Sequence, residues 1–144
     1  MFSKTCEHAI RATLLVASNS LEGRRVSIKE IAEATAAPVA FTAKIMQQLC
    51  HGGILYSVQG KQGGFEMTRE EMQRTPLSRI VTLIDSDQVF KGCGLGLREC
   101  NSQRPCPLHE RFSVVRAGLK AMLEETTVLD LTLGLKQGLT FLRA

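Results

Sequence analysis

Nowhere in its 144 residues does the chain hold a run of about 18 apolar residues, so the sequence argues against a membrane-spanning helix. The N-terminus also lacks the apolar stretch of a signal peptide. Glu7 and His8 stand where it would lie, and a cytoplasmic location is expected. Charged residues are few, 22% against 44% hydrophobic, a balance that argues against disorder and supplies a real core. The length suits one domain, or one compact domain with an added dimerisation element. A local absence is more informative: from Ala34 through Phe65 there is no Asp or Glu, while Lys44, His51 and Lys61 are present. Carboxylates repel phosphate, so a surface that meets a polyanion has reason to exclude them. Chance depletion in a loop-rich segment is the bland alternative. The net charge of +4 and pI near 8.9 fit a polyanion partner without establishing one. Catalytic sets are missing too. No Ser/His/Asp combination has supporting spacing, and His8, His51 and His109 lie far apart, so the chain reads as a non-enzyme.

What is present is a succession of short helices with one hairpin. Residues 3–19 place Ala9, Ile10, Ala12, Thr13, Leu14, Val16 and Ala17 on a broad apolar face, and Asn19 and Gly23 end that helix. Ser27-Ile28-Lys29-Glu30 is a capping box opening a second helix that stops near Thr35, with Ile28, Ile31 and Ala32 inward. Pro38 starts a third, which runs to about Cys50 before Gly52-Gly53 breaks it. On it Val39, Phe41, Thr42, Ile45, Met46 and Leu49 share one side, and Ala40, Ala43, Lys44, Gln47 and Gln48 share the other. Two short helices joined by a tight turn are the helix-turn-helix signature. Strands over 54–58 and 65–68 then flank a glycine-rich tip, Gly60-Lys61-Gln62-Gly63-Gly64, which reads as a wing.

The second half opens with a helix over 76–87 and a loop over 91–107 rich in Gly, Pro and Cys. A long helix over 108–125 carries Phe112, Val115, Leu119 and Met122 in a two-heptad seam. Such a seam serves either the core or a partner. The winged domain should already use most of the core, which favours dimerisation. Thr127 and Asp130 cap a last short helix, and 133–142 is apolar enough to pack. The expected fold is mainly α with a small β-hairpin wing: a winged helix-turn-helix domain over 1–75, then a cysteine loop (91–109) and a dimerisation helix within 76–144.

Two constellations carry chemistry. In the first, Gln47 and Gln48 can bond base edges in two-point fashion, Lys44 can reach guanine or phosphate, and Ala40 allows close approach in a major groove. Gln59, Lys61 and Gln62 would sit at the wing tip near backbone or minor groove, where glycines let backbone N–H groups approach phosphates. The second is Cys93-x6-Cys100-x5-Cys106-x2-His109, three thiols and an imidazole on one loop, able to close around a metal centre. Thiolates suit zinc and iron–sulfur clusters alike, but the Cys-x2-Cys knuckle usual in structural zinc sites is absent. Five cysteines, an odd number in a reducing compartment, do not read as a disulfide framework. Cys50 reads as structural.

Taken together, these residues resemble the Rrf-type bacterial winged-helix transcription regulators, the IscR/NsrR-like iron–sulfur regulators. The resemblance rests on Cys6-Glu7-His8-Ala9-Ile10-Arg11-Ala12, Ile28-Lys29-Glu30-Ile31-Ala32, Val58 to Phe65, the three-cysteine loop, and Thr127-Val128-Leu129-Asp130-Leu131. It implies a homodimeric repressor on a palindromic double-stranded DNA operator. It also implies a [2Fe–2S] or [4Fe–4S] cluster held by Cys93, Cys100 and Cys106, whose response to nitric oxide, redox or iron status alters DNA affinity. The fourth ligand implied is either His109, as in IscR-like members, or Glu7 of the partner subunit, as in NsrR-like members, with Glu7 slightly favoured. A zinc-stabilised binding module without sensing is the alternative. The sequence departs from the pattern in a first cysteine gap one residue longer than usual. It also has Gln59 where an arginine is usual and Ala43 where an acid is usual, so operator sequence does not carry over.

Overall fold

The computed structural model describes residues 1–142. In chain order the elements are α1 (Lys4–Ser20), α2 (Ile28–Ala34), α3 (Val39–His51), β1 (Tyr56–Val58), β2 (Gly64–Glu66) and α4 (Arg69–Arg74). They continue with α5 (Leu77–Asp85), α6 (Gln88–Lys91), α7 (His109–Glu125) and α8 (Val128–Lys136). No described helix is long and apolar enough to cross a membrane.

Helix α1 is the hub. Ser3 caps it by accepting the Cys6 N–H at 3.0 Å, and Asp85 at the end of α5 accepts from the Ser3 N–H (2.9 Å) and hydroxyl. Ala9, Ala12 and Ala17 are wholly buried. Side chains that end at Cβ let α3, α5 and α8 approach closely, and all three pack on α1. The capping box at Ser27 and Glu30 is formed in both directions, at 3.2 Å and 2.8 Å. So is the box at Thr127 and Asp130, at 3.1 Å and 2.9 Å.

The hairpin is shorter than the sequence pattern implies, with Tyr56 opposite Glu66 and Val58 opposite Gly64. Ile54 and Leu55 are buried beneath it rather than strand-paired. Met67-Thr68 leaves the ladder because the Thr68 hydroxyl accepts the Glu71 N–H (3.1 Å) and starts α4, an element the periodicity did not reveal. Val26 joins the edge, exchanging backbone hydrogen bonds with Phe65 at 3.1 Å and 2.8 Å. That approach requires Gly64: a Cβ there would stand 2.8 Å from the Val26 carbonyl oxygen, and the residue has φ +138°.

Core packing continues across the 75/76 boundary. The Leu77 N–H donates to the Thr126 carbonyl and the Val128 N–H to that of Thr75, both at 2.9 Å. Leu77, Ile80, Val81, Leu123, Val128 and Leu129 share one core with Ala9, Ile31, Ile45 and Leu49. The described residues on either side of the 75/76 boundary thus share one core.

Two expectations need correction. The seam of α7 is not evenly covered. Phe112 and Leu119 pack inward and Leu123 is buried, whereas Val115 and Met122 are 58% and 50% exposed, alongside Val114 at 73%. One edge of the stripe meets the core and the other edge faces outward. Residues 133–142 pack only in part: Leu133 and Leu135 touch the core, but α8 stops at Lys136 and Leu139, Phe141 and Leu142 are exposed. Gly138 (φ +70°) turns the chain just past the end of α8, and no described element lies over those three.

His8, on the inner face of α1, is buried with Nε2 3.4 Å from the Thr35 hydroxyl and 3.3 Å from that of Thr42. Its ring meets Phe41 edge-on, centroids 5.2 Å apart. Burial, and then the Arg11 charge, hold its pKa below the ordinary 6.5. Above that pH the ring is neutral in both folded and unfolded chains. As pH falls below 6.5 the unfolded chain takes up a proton that the folded one resists, so stability declines down to the folded pKa. The melting temperature should therefore drop on mild acidification, and His8→Gln should flatten that part of the profile. An unaltered profile in the variant would refute the assignment.

Candidate nucleic-acid interface and cysteine site

The buried stripe of α3 is Thr42, Ile45, Met46 and Leu49, which hold the helix against α1 and α2. Ala40, Lys44, Gln47 and Gln48 face outward and are exposed, with Ala43 half-buried between them. Val39, expected inward, is 49% exposed. It occupies the first turn, which projects beyond the reach of α1 and α2. The turn before α3 is tightened by Ala36 at φ +53° and by the Ala37 N–H donating to the Ala32 carbonyl at 2.9 Å. His8, bridging α1 to both helices of the pair, is a positioning residue to which the sequence reading gave no role.

At the wing, Gln59, Lys61 and Gln62 are exposed at the tip. Arg25 was missed. Its Nε pairs with Glu66 at 2.9 Å and its Nη1 donates to the Gln62 carbonyl at 3.3 Å. It thus braces the tip and neutralises the first acid after the acid-free stretch. The signal was available as a cation just before the capping box, but only the hairpin register brings Arg25 and Glu66 together.

The cysteine loop runs between α6 and α7 and gathers its donors in two pairs. Cys93 Sγ lies 3.9 Å from Cys106 Sγ, and Cys100 Sγ lies 3.4 Å from His109 Nδ1. The His109 N–H donates to the Cys106 carbonyl at 3.0 Å, so Pro107 does not turn the chain away from His109. Cys93 is held below the ordinary thiol pKa of 9.0, first by the backbone N–H of Leu95 and then by that of Leu97, against a smaller desolvation. The helix cysteines differ. Cys6 is pushed up to about 12 by burial and then by Asp85, and burial raises Cys50 as well. Among the described residues no three His, Cys, Asp or Glu side chains are grouped so as to hold one metal ion. Glu7 lies in the first turn of α1, part-exposed and 3.2 Å from Lys4, and is not among these pairs.

A helix pair, a hairpin placed directly after it and a cysteine-bearing arm match a known family over most of the chain. The Rrf2 family, described as "Iron-dependent Transcriptional regulator", matches residues 2–133. The chain belongs to the Rrf2 family. A protein of Aquifex aeolicus (strain VF5) whose name assigns it as an HTH-type transcriptional regulator is 30% identical over 133 residues, covering 91% of this chain and 90% of the relative. One from Haemophilus influenzae, named in the same way, is 24% identical over 124 residues, covering 86% and 81%. Among solved structures, CymR, the global cysteine regulator of B. subtilis, superposes with a TM-score of 0.73 at 18% identity, covering 92% of this chain and 95% of that one. T. potens IscR superposes at 0.72 and 17%, covering 99% and 93%. The fold is accordingly the winged helix of these regulators, and the protein is a DNA-binding transcription regulator, not an enzyme.

The interface makes separable demands on its residues. Lys61→Ala should weaken binding to all DNA sequences alike and shrink the salt slope by about one unit, as expected for one lost phosphate contact. Gln47→Ala should instead relax base preference, costing roughly 1–3 kcal/mol on the preferred operator. Titrations at several salt concentrations with matched and mismatched duplexes measure both. Wild-type behaviour in both variants would mean that α3 and the wing do not read DNA.

Proposed function

We propose that the protein is a cytoplasmic, homodimeric repressor that binds a palindromic operator and carries a [2Fe–2S] cluster on the cysteine loop. The observation that carries the reading is the pairing of donors. Two ligands on one tetrahedral metal, at bond lengths of about 2.3 Å for sulfur and about 2.0 Å for nitrogen, stand roughly 3.5–3.8 Å apart. Cys93 with Cys106 (3.9 Å) and Cys100 with His109 (3.4 Å) fit that spacing, one pair for each iron of a two-iron core. A single zinc would draw its donors to one point, and no three of them are grouped in that way among the described residues. The donor set, three thiols and an imidazole in two pairs, supports the cluster reading. When bound, the cluster supplies a centre that exchanges an electron or is dismantled by nitric oxide or oxygen.

His109 is the better fourth ligand in this arrangement, in place of Glu7 of the partner subunit. It opens α7 and already sits beside Cys100. The residues of the chain also supply a route to the DNA face. Arg79 on α5 donates to the Gly52 carbonyl at the end of α3 (2.9 Å), and Asp85 on α5 holds the start of α1. Helix α5 packs on α7, and α7 on α6, so a change in the loop between α6 and α7 would bear on the start of α1 and the end of α3. The outward side of α7, with Val114, Val115, Gly118 and Met122 exposed, is the surface for a second copy.

Anaerobically purified protein should be coloured and contain about two irons and two sulfides per chain. Cys93→Ala, Cys100→Ala and Cys106→Ala should each abolish the visible absorption, and Cys50→Ala should keep it. His109→Ala should alter the spectrum and shorten cluster lifetime, while Glu7→Ala leaves both at wild type; the reverse result would return the fourth ligand to Glu7. Separately, Val115→Glu should convert the dimer into a monomer in sedimentation velocity, because a carboxylate would be buried at the seam. A dimer of unchanged stability would move the interface elsewhere.

A further inference from the structure

Arg116 lies two turns along α7 from His109, on the same inward side as Phe112 and Leu119. Its guanidinium is part-buried and divides its donors between the two ends of the cysteine loop. Nη1 donates to the Gly92 carbonyl at 3.0 Å, next to Cys93, and Nη2 donates to Cys100 Sγ at 3.4 Å. No carboxylate pairs with it among the described residues: its partners are a carbonyl and a thiol. A half-buried cation with only neutral partners is an uncompensated charge, which folds avoid unless an anion completes the site. The anions at hand are the thiolates that the loop would present to a bound centre, with Cys100 already in contact with Arg116.

We propose that Arg116 is the counter-charge of the cysteine site and sets the reduction potential of the centre bound there. This rests on the cluster reading above. Three thiolates and a neutral imidazole around a diferric two-sulfide core carry one net negative charge. One electron from a dithionite-class reductant makes that two, with no bond formed or broken and no proton required. A fixed cation beside Cys100 stabilises the reduced form more than the oxidised one, and its hydrogen bond to the ligand sulfur acts in the same direction. Arg116 thereby raises the potential and fixes the redox poise at which the regulator responds. It is a positioning and tuning residue rather than a ligand.

The test is an anaerobic redox titration of the visible absorption in wild type, Arg116→Gln and Arg116→Lys, with iron content measured in parallel. Arg116→Gln keeps a hydrogen-bond donor but loses the charge. It should disfavour reduction by about tenfold, a shift of about 59 mV to more negative potential for one electron. Arg116→Lys keeps the charge and should return to within about threefold of wild type. If Arg116→Gln fails to hold the chromophore while Arg116→Lys holds it, the charge is required for the site and the proposal stands. Loss from both variants would make Arg116 a purely structural residue and overturn it. So would a wild-type potential in Arg116→Gln, or equal shifts in the two variants, while leaving the cluster reading intact. A wild-type protein with neither iron nor visible absorption would overturn the cluster reading itself, and this proposal with it.

Discussion

Ala9, Ala12 and Ala17 lose all their surface in the fold, and because their side chains end at Cβ they let three helices close around α1 at short range. The other elements depend on that closure. Helix α3 is seated through Ile45, Met46 and Leu49 on one side of α1, and its angle is fixed by His8 reaching Thr42. Helices α5 and α8 cover the other sides, and the Thr75–Val128 and Leu77–Thr126 hydrogen bonds tie them together. Enlarging any of these alanines would push apart helices that carry separate tasks, since close-packed interiors transmit strain rather than absorb it.

Charge is distributed with the same economy. Three acids near the acid-free stretch in sequence are paired: Glu30 in a capping box and with Arg24, Glu66 with Arg25, and Glu71 with Arg74. What α3 and the wing tip present is therefore amide, methyl and ammonium, the set that can approach phosphate and base edges without repulsion. Each of these ion pairs is exposed and contributes little to stability.

Local signals were legible in the sequence and tertiary ones were not. Ser27 with Glu30 and Thr127 with Asp130 announce helix starts because a capping box is closed within four residues, and both form. The 42/45/49 stripe of α3 was readable for the same reason. Val39 and the seam of α7 misled because a 3.6-residue period reports which residues share a side, not whether a neighbour covers it. Phe112 and Val115 look alike in sequence, yet one meets the body of the protomer and the other faces outward. The cysteine loop was visible as a set of donors, but its division into Cys93 with Cys106 and Cys100 with His109 depends on how α7 leaves the loop. Arg116, an arginine on an otherwise ordinary helix, acquires meaning only when Cys100 is placed beside it.

The route from that loop to the DNA face consists of contacts that are individually weak. Arg79 to the Gly52 carbonyl is an exposed hydrogen bond to the end of α3, and Asp85 to Ser3 is another at the start of α1. Each involves a charged group, for which a hydrogen bond is worth about 1.5–3 kcal/mol, and less where solvent reaches it as here. For a switch it is the right scale, because a coupling of about 1–3 kcal/mol already changes affinity some 5- to 150-fold. Stronger links would hold α3 in one orientation whatever the loop contained. Leu77, Ile80 and Val81 join α5 to the core, Leu83 stands against Gly52 at the end of α3, and Arg79 and Asp85 add polar contacts, so under the proposed reading a change at the cysteine loop would reach the recognition helix through α5.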